Sequence, residues 1–545
     1  MNRRTILKTL AAVLPGSALA GNLYGRQNNP AADSFAQAPF KPTWSSLEQY
    51  TVPEWYRDAK FGIWAHWGPQ CQPEYGDWYA RELYQEGSEK YKYHLSRYGH
   101  PSKFGFKDVI HEWKAEAWDP YELVKLYKQA GAKYFMALAN HHDNFDNYAS
   151  SHQAWNSVNL GPKKDLIDGW AKATRKAGLN FGVSVHAAHA WSWYEAAQRA
   201  DKSGPHADIP YDGKLTKADG KGLWWQGYDP QDLYAQNHPL SAHSDEDQMI
   251  HKQWHWGNGV SVPSKAYCEK FLKRTVELVD KYDPDVIYFD DTALPLWPIS
   301  EVGLQFAAYY YNRSKKMKGN VEVVINGKIL DEQQRKAIVW DLEKGAFNSI
   351  EPFVWQTCTC IGNWHYDRRV YDSNGYKSAQ AVIHILCDVV SKNGNLLLNV
   401  PVRGNGTIDE KERTVVEEIG EWMQSNGEGI FGTRPWKVFG EGPAMGTAGP
   451  LTGQGFNEGK GKPLGSEDFR FTKKKDSVYA FFFGWPEKKS LLIKSLAQER
   501  IQNVKLLGYS GPIEWSRDAA GVTVKLPDQV PGIRAYTLKF EGIEA

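Results

Sequence analysis

The run Pro284-Asp285-Val286-Ile287-Tyr288-Phe289-Asp290-Asp291 sets four apolar residues between polar ends. A strand with one wet face alternates apolar and polar residues, whereas a strand covered on both faces reads as a near-continuous apolar run. The same texture recurs upstream in FGIWAH (Phe61–His66), KYFMALAN (Lys133–Asn140) and LNFGVSVH (Leu179–His186). Downstream it recurs in VEVVIN (Val321–Asn326), AIVWD (Ala337–Asp341), FVWQT (Phe353–Thr357) and NLLLNV (Asn395–Val400). Helical stripes separate these runs. Asp119-Pro120 supplies a cap and a first-turn proline, after which Leu123, Leu126, Tyr127 and Ala130 share one face. Lys265–Tyr282 and Ala379–Val390 carry similar stripes. Buried strands alternating with helices over roughly 350 residues predict an α/β fold, a (β/α)8-like TIM barrel.

The polar ends of the strands carry the chemistry. His66 closes the first run, His141, His142 and Asp143 follow the second, and His186 ends the third. Asp290 and Asp291 end the fourth, Lys328 follows the fifth, and Asp341 and Glu343 follow the sixth. Barrel active sites gather at the C-terminal strand ends, so these side chains are expected in one polar pocket suited to a polyhydroxylated ligand. Side chains alternate along a strand, so Asp290 and Asp291 face opposite ways and one of them is available as a nucleophile. There is no HExxH pair, and the adjacent His141 and His142 suit one tetrahedral metal poorly, so no metal or other cofactor is expected. No GxSxG elbow supports a serine hydrolase. Paired carboxylates suit glycoside hydrolysis, with one attacking and the other donating a proton.

Composition agrees. The 545 residues hold 65 Lys+Arg against 64 Asp+Glu, which argues against a nucleic-acid binder. They also hold 23 Trp, and indole faces stack on the C–H faces of sugars. Trp64, Trp67, Trp78, Trp191, Trp193, Trp224, Trp225, Trp254 and Trp256 are expected to wall the pocket.

Outward from the barrel, the amino terminus reads MNRRTILKTLAAVLPGSALAG. Arg3-Arg4, the apolar run Ile6–Leu14 and Ala18-Leu19-Ala20 form a twin-arginine-like signal peptide over 1–20, implying a periplasmic or secreted protein with no membrane span. Residues 21–40 read as a flexible leader and 41–440 as the barrel, with an aperiodic insertion at about 196–263 shaping the rim. The glycine-rich stretch 441–466 reads as a linker. VYAFFFGW, SLLIKSL, VKLLG, VTVKL and AYTLKF then make 467–545 an antiparallel β-sandwich. The five cysteines form no CxxC pair and read as buried thiols.

Several motifs together carry a resemblance. KFGIWAHWG from Lys60, GDWYARELY from Gly76, AGAKYFMALANHHDNF from Ala130, VIYFDD, SKNGNLLLNV from Ser391 and GTRPW from Gly432 resemble glycoside hydrolase family 29, the α-L-fucosidases, over roughly 42–440. The resemblance implies exo-acting, retaining release of terminal α-L-fucose from a carbohydrate substrate, with Asp290 as nucleophile. It implies that His66, His141 and His142 bind sugar hydroxyls and that Trp78 touches the sugar beside Asp77. Tyr288, His186 and Lys328 complete the expected sugar-binding set. Glu343 is the first choice for the acid/base and Glu351 the second.

The sequence also departs from the family pattern. Asp77 stands where Glu is commoner, and Lys328 where Arg is expected, losing bidentate geometry. SVHAAHAW puts His186 and His189 where many members have YYS, and Asn144 replaces the glycine of HHDG. A more polar pocket of this kind suits α-L-galactose or a sulfated sugar as an alternative substrate, and a non-catalytic carbohydrate-binding protein is the remaining alternative.

Overall fold

The computed structural model describes residues 38–543 apart from 236–237, 245–255 and 258. The signal-peptide reading and Trp254 lie outside the described residues. Eight parallel strands close a barrel in chain order. They are β1 (Phe61–Ala65), β2 (Tyr134–Asn140), β3 (Asn180–Val185), β4 (Val286–Thr292), β5 (Val324–Lys328), β6 (Val339–Glu343), β7 (Trp355–Cys360) and β8 (Gly394–Asn399). β1 pairs with both β2 and β8, so no edge is left open. Each expected strand is present. β5, β6 and β7 begin two or three residues later than their apolar runs suggest, because pairing register rather than hydrophobicity sets their ends.

The lower barrel is filled by inward side chains: Trp64 of β1, Tyr134 and Met136 of β2, Val286 and Tyr288 of β4, Val324, Val339, Cys358 and Leu397. Gly62 makes room for one of them. A Cβ there would lie 2.3 Å from the Tyr134 ring. That ring cannot retreat freely, because Tyr134 and Tyr56 both donate to Gln356 Oε1 at 2.8 Å.

The helices stand where the stripes place them. Pro120–Gln129 is capped by Asp119, whose side chain accepts from the Tyr121 and Glu122 amides. Within the insertion, among the described residues, short helical turns lead to the helix Pro230–Tyr234. Asp212 anchors this segment, accepting from Tyr84 (2.7 Å) and Tyr234 (2.8 Å) and pairing with Lys107 (3.1 Å).

The C-terminal region forms a five-stranded and a three-stranded antiparallel sheet. The first orders β13 (Asn503–Leu506), β16 (Tyr536–Glu541), β11 (Ser477–Phe482), β10 (Phe469–Lys474) and β9 (Arg434–Glu441). The second orders β12 (Ser490–Ile493), β15 (Gly521–Lys525) and β14 (Glu514–Asp518). One core containing Phe471, Phe482, Ile493, Val522 and Leu538 lies between them, making a sandwich. β9 corrects the boundary read at residue 440: GTRPW starts the sandwich's own edge strand, pairing with β10. All five cysteines are buried free thiols. Among the described residues, no helix is long and apolar enough to cross a membrane.

Gly62→Ala should destabilise the protein by about 1–3 kcal/mol through overpacking against Tyr134. The measurement is the thermal midpoint. An unchanged midpoint would show that the ring can leave Gln356 at no cost.

Candidate active site

The strand ends meet in a cavity of about 270 Å³ lined by Trp64, His66, Asp77, Trp78, His141, His142, His186, Tyr288, Asp290, Lys328, Glu343, Trp364, His365, Gln454 and Phe456. This is near the small end of ligand pockets, typically about 300–1,000 Å³, and suits one sugar unit better than a chain. Of the polar residues expected there, Asp143, Asp291, Asp341 and Glu351 do not line it.

At its centre Lys328 Nζ lies 2.7 Å from Asp290 Oδ1 and 2.6 Å from Glu343 Oε2, so those two oxygens are at most 5.3 Å apart. Glu343 Oε1 accepts from Trp364 Nε1 at 3.1 Å. Asp290 Oδ2 lies 3.2 Å from His142 Nε2 and 3.3 Å from His186 Nδ1. Burial pushes the Asp290 carboxyl up, but the Lys328 ammonium and the two imidazoles outweigh it and hold it well below the usual carboxylate range. Burial depresses the Lys328 ammonium, but Asp290 and Glu343 more than reverse this and raise it well above the ordinary lysine value. The site therefore presents an ionised Asp290 and a charged Lys328 at neutral pH.

Five histidines surround this centre. Burial holds His66 and His141 well below the ordinary imidazole value, lowers His142, and lowers His186 to about 4. These four are neutral rings that each offer one donor and one acceptor. Gln70 sets the tautomer of His141. Its Oε1 accepts from the Ala80 amide at 3.3 Å, so its Nε2 faces His141 Nδ1 at 2.7 Å and donates. The proton of His141 is thereby placed on Nε2. His142 meets an acceptor at each ring nitrogen, the His186 carbonyl 2.8 Å from Nδ1 and the Asp290 carboxylate 3.2 Å from Nε2, so the neutral ring donates to one of them at a time. His66 Nδ1, His186 Nε2 and His365 Nε2 are buried without a protein partner among the described residues. Buried polar atoms of this kind call for a hydrogen-bond partner. Two sets, His66–His141–His365 and His141–His142–His186, also bring ring nitrogens within 4.8 Å of one another, near enough to be candidate metal ligands.

The rest of the pocket holds these groups in place. Asp77 accepts from the His365 amide at 2.6 Å and the Trp364 amide at 3.2 Å, riveting the loop after β7 to the loop after β1. Asn144 sits at φ 60, which explains why a glycine suits this position and why Asn is tolerated. Its side chain accepts from Arg274 Nη1 (2.6 Å) and donates to the Asp232 and Leu233 carbonyls (3.0 Å), tying the histidine loop to the insertion.

The structure separates the two glutamates. Glu351 precedes β7 and lies towards the N-terminal end of the barrel, away from the pocket. Its carboxylate pairs with Arg335 at 2.6 Å and accepts from Ser349 at 3.0 Å. The chain between β6 and β7 has to return to the start of the next parallel strand, which carries Glu351 to the other end. Asp291 turns away from the pocket as strand alternation requires and accepts from His189 Nε2 at 3.0 Å. His189 is therefore not beside His186 in the pocket; it stacks on Trp256.

The tryptophans do not form one wall. Trp64, Trp78 and the unforeseen Trp364 line the cavity. Trp67 packs among Trp113, Trp118 and Trp170, while Trp193 packs against the rings of His141 and His142. Trp191 stacks on His238, Trp224 on His111, and Trp225 packs under Lys107. Aromatic count alone does not distinguish a sugar platform from core. Trp364 and His365 follow β7 as the other site residues follow their strands, and a strand end at Cys360 rather than Thr357 exposes that signal. Gln454 and Phe456 come from the stretch read as a linker, where no sequence pattern marks them.

Residues 28–428 match the family model described as Alpha-L-fucosidase, and 463–541 match that of the Alpha-L-fucosidase C-terminal domain. The chain is 26% identical over 523 residues to tissue alpha-L-fucosidase of Rattus norvegicus, covering 93% of this chain and 94% of the relative. It is 26% identical over 525 residues to the tissue enzyme of Homo sapiens, covering 93% and 94%. The solved Thermotoga maritima alpha-fucosidase, in complex with a mechanism-based inhibitor, superposes with a TM-score of 0.67 at 25% identity, covering 92% of this chain and 100% of that one.

The His186 ring should stay neutral across pH 5–8 and titrate near pH 4, as read by its ring-nitrogen NMR shifts. Titration near the free imidazole value of about 6.5 would mean that the ring is solvated and not buried as described.

Proposed function

Because the chain belongs to the α-L-fucosidase family, glycoside hydrolase family 29, and is a fucose-releasing glycosidase, we propose that it works by double displacement, with Asp290 as nucleophile and Glu343 as acid/base. The carboxylate separation carries this reading. Retaining enzymes hold their two carboxyls about 5–5.5 Å apart, whereas inverting enzymes leave about 6.5–9.5 Å for a water. The limit of 5.3 Å set by Lys328 supports retention.

In the first step Asp290 attacks the anomeric carbon as Glu343, protonated, passes its proton to the glycosidic oxygen. The C–O bond to the leaving group breaks, and the sugar is held as an ester on Asp290. In the second step the Glu343 carboxylate takes a proton from water, the water oxygen attacks the anomeric carbon, and Asp290 leaves as a carboxylate. Lys328 is a positioning residue in both steps. It orients the two carboxylates and offsets the charge that returns to Asp290. The neutral imidazoles bond the sugar's hydroxyls without charging the pocket, and Trp64 and Tyr288 form its apolar floor. Glu343 is preferred to Glu351 because only Glu343 faces the cavity.

Asp290→Asn should lower kcat/KM on an aryl α-L-fucoside by about a thousandfold or more, as loss of a nucleophile does. Glu343→Gln should lose about 100- to 10,000-fold on a sugar leaving group, the usual range for an acid/base. Glu351→Gln should keep kcat while lowering the thermal midpoint, since it breaks a buried ion pair. The first-formed fucose should be the α anomer by NMR. Release of the β anomer would sink the covalent mechanism. Running an aryl α-L-galactoside beside the fucoside tests the alternative that His186 invites, a pocket preferring a sugar hydroxylated at C6.

The amino-terminal Arg3-Arg4 pattern supports export, with cleavage after Ala20 and the active enzyme outside the cytoplasm. Expression in a bacterium with twin-arginine export should give a mature chain starting at Gly21. Arg3→Lys with Arg4→Lys should leave uncleaved precursor in the cytoplasm. Normal export of that double variant would favour the general secretory route.

A further inference from the structure

The glycine-rich stretch between barrel and sandwich reaches back into the active site. Thr452 and Gly455 close a tight turn through reciprocal amide–carbonyl bonds of 3.0 Å. The turn then pairs with the end of β6. The Glu343 amide donates to the Gln454 carbonyl at 2.7 Å, and the Phe456 amide donates to the Glu343 carbonyl at 2.8 Å. Asn457 continues the pairing, accepting from the Ala346 amide at 2.8 Å and donating to the Ala346 carbonyl at 3.0 Å. Gly455 has φ +126, and a Cβ there would lie 2.2 Å from the Glu343 carbonyl oxygen. A glycine is therefore required for this approach. A residue more than a hundred positions along the chain thus clamps the backbone of the acid/base and sets Phe456 beside it.

The aromatic residues of the cavity grade outwards. Trp64 and Tyr288 are buried floor, Trp78 and Trp364 are half-buried walls, and Phe456 is 39% exposed at the mouth. An acid/base must sit against the glycosidic oxygen, so whatever is anchored to Glu343 faces the group that leaves rather than the sugar that is captured. We propose that Gln454–Phe456 forms the leaving-group subsite, with Phe456 offering a stacking face to a neutral pyranose ring or an aryl group. This rests on the assignment of Glu343 as acid/base. An exposed phenyl ring covers the C–H face of a sugar while leaving the hydroxyls in water, so it favours an oligosaccharide end over a charged leaving group.

The test compares two substrates on the full-length enzyme. α-L-Fucosyl fluoride has no leaving group large enough to reach the mouth, whereas a fucosyl-galactose disaccharide places a ring there. For Phe456→Ala, the ratio of kcat/KM on disaccharide to that on fluoride should fall five- to tenfold, mainly through KM. Phe456→Trp should restore it. An unchanged ratio, whether both rates fall together or neither moves, would overturn the subsite and leave Phe456 as a lid on the cavity. If the wild-type enzyme cleaves neither substrate, the hydrolytic reading fails first and the subsite with it.

Discussion

The Lys328 ammonium, held between Asp290 and Glu343, is the interaction on which the site depends. Three ionisable groups meet where little water reaches: the Lys328 side chain is 4% exposed and each carboxyl side chain 17%. Such a cluster is costly to desolvate and persists only when every member is paired. One ammonium between two carboxyl groups achieves this and sets their spacing. Lysine stands here in place of the arginine expected at this position. A compact ammonium directs three donors from one point on a flexible stem, whereas a guanidinium is a rigid planar fork.

Hydrogen-bonded side chains brace this centre. Burial pushes the Asp341 carboxyl up to about 6, and its oxygens are taken by Gln356 Nε2 (2.7 Å) and the Cys358 thiol (3.0 Å). Gln356 in turn receives Tyr56 and Tyr134, so a hydrogen-bonded chain runs from the barrel floor to a point two residues from Glu343. Above, the imidazoles stay neutral because they are buried and crowd one another. The pocket thus pairs a small ionic centre with a ring of uncharged donors and acceptors, which is what a polyhydroxylated and uncharged sugar requires.

Much of this was legible in the residues. The near-continuous apolar runs identify parallel strands because a strand covered on both faces has no position at which water tolerates it. Parallel strands in a barrel share one direction, so their polar C-terminal residues converge, and His66, His142, Asp290, Lys328 and Glu343 were nameable from that rule. Asp291 and Asp290 separate by strand alternation alone. The choice between Glu343 and Glu351 was not legible, since they lie eight residues apart and only the course of the β6–β7 connection sends them to opposite ends of the barrel. Trp364 and His365 were missed because β7 runs three residues beyond its apolar stretch.

The sequence by itself determined the barrel, the carboxylate and histidine set at its mouth, and the family, because periodicity and strand-end chemistry are local properties repeated along the chain. Only the tertiary structure decided which indoles line the cavity, which glutamate lies beside Asp290, and that the glycine-rich stretch reaches the cavity. Those outcomes depend on contacts between residues tens to more than a hundred positions apart. Gly455 against Glu343 is the clearest case: a missing side chain leaves no pattern in a sequence until its neighbour in space is known.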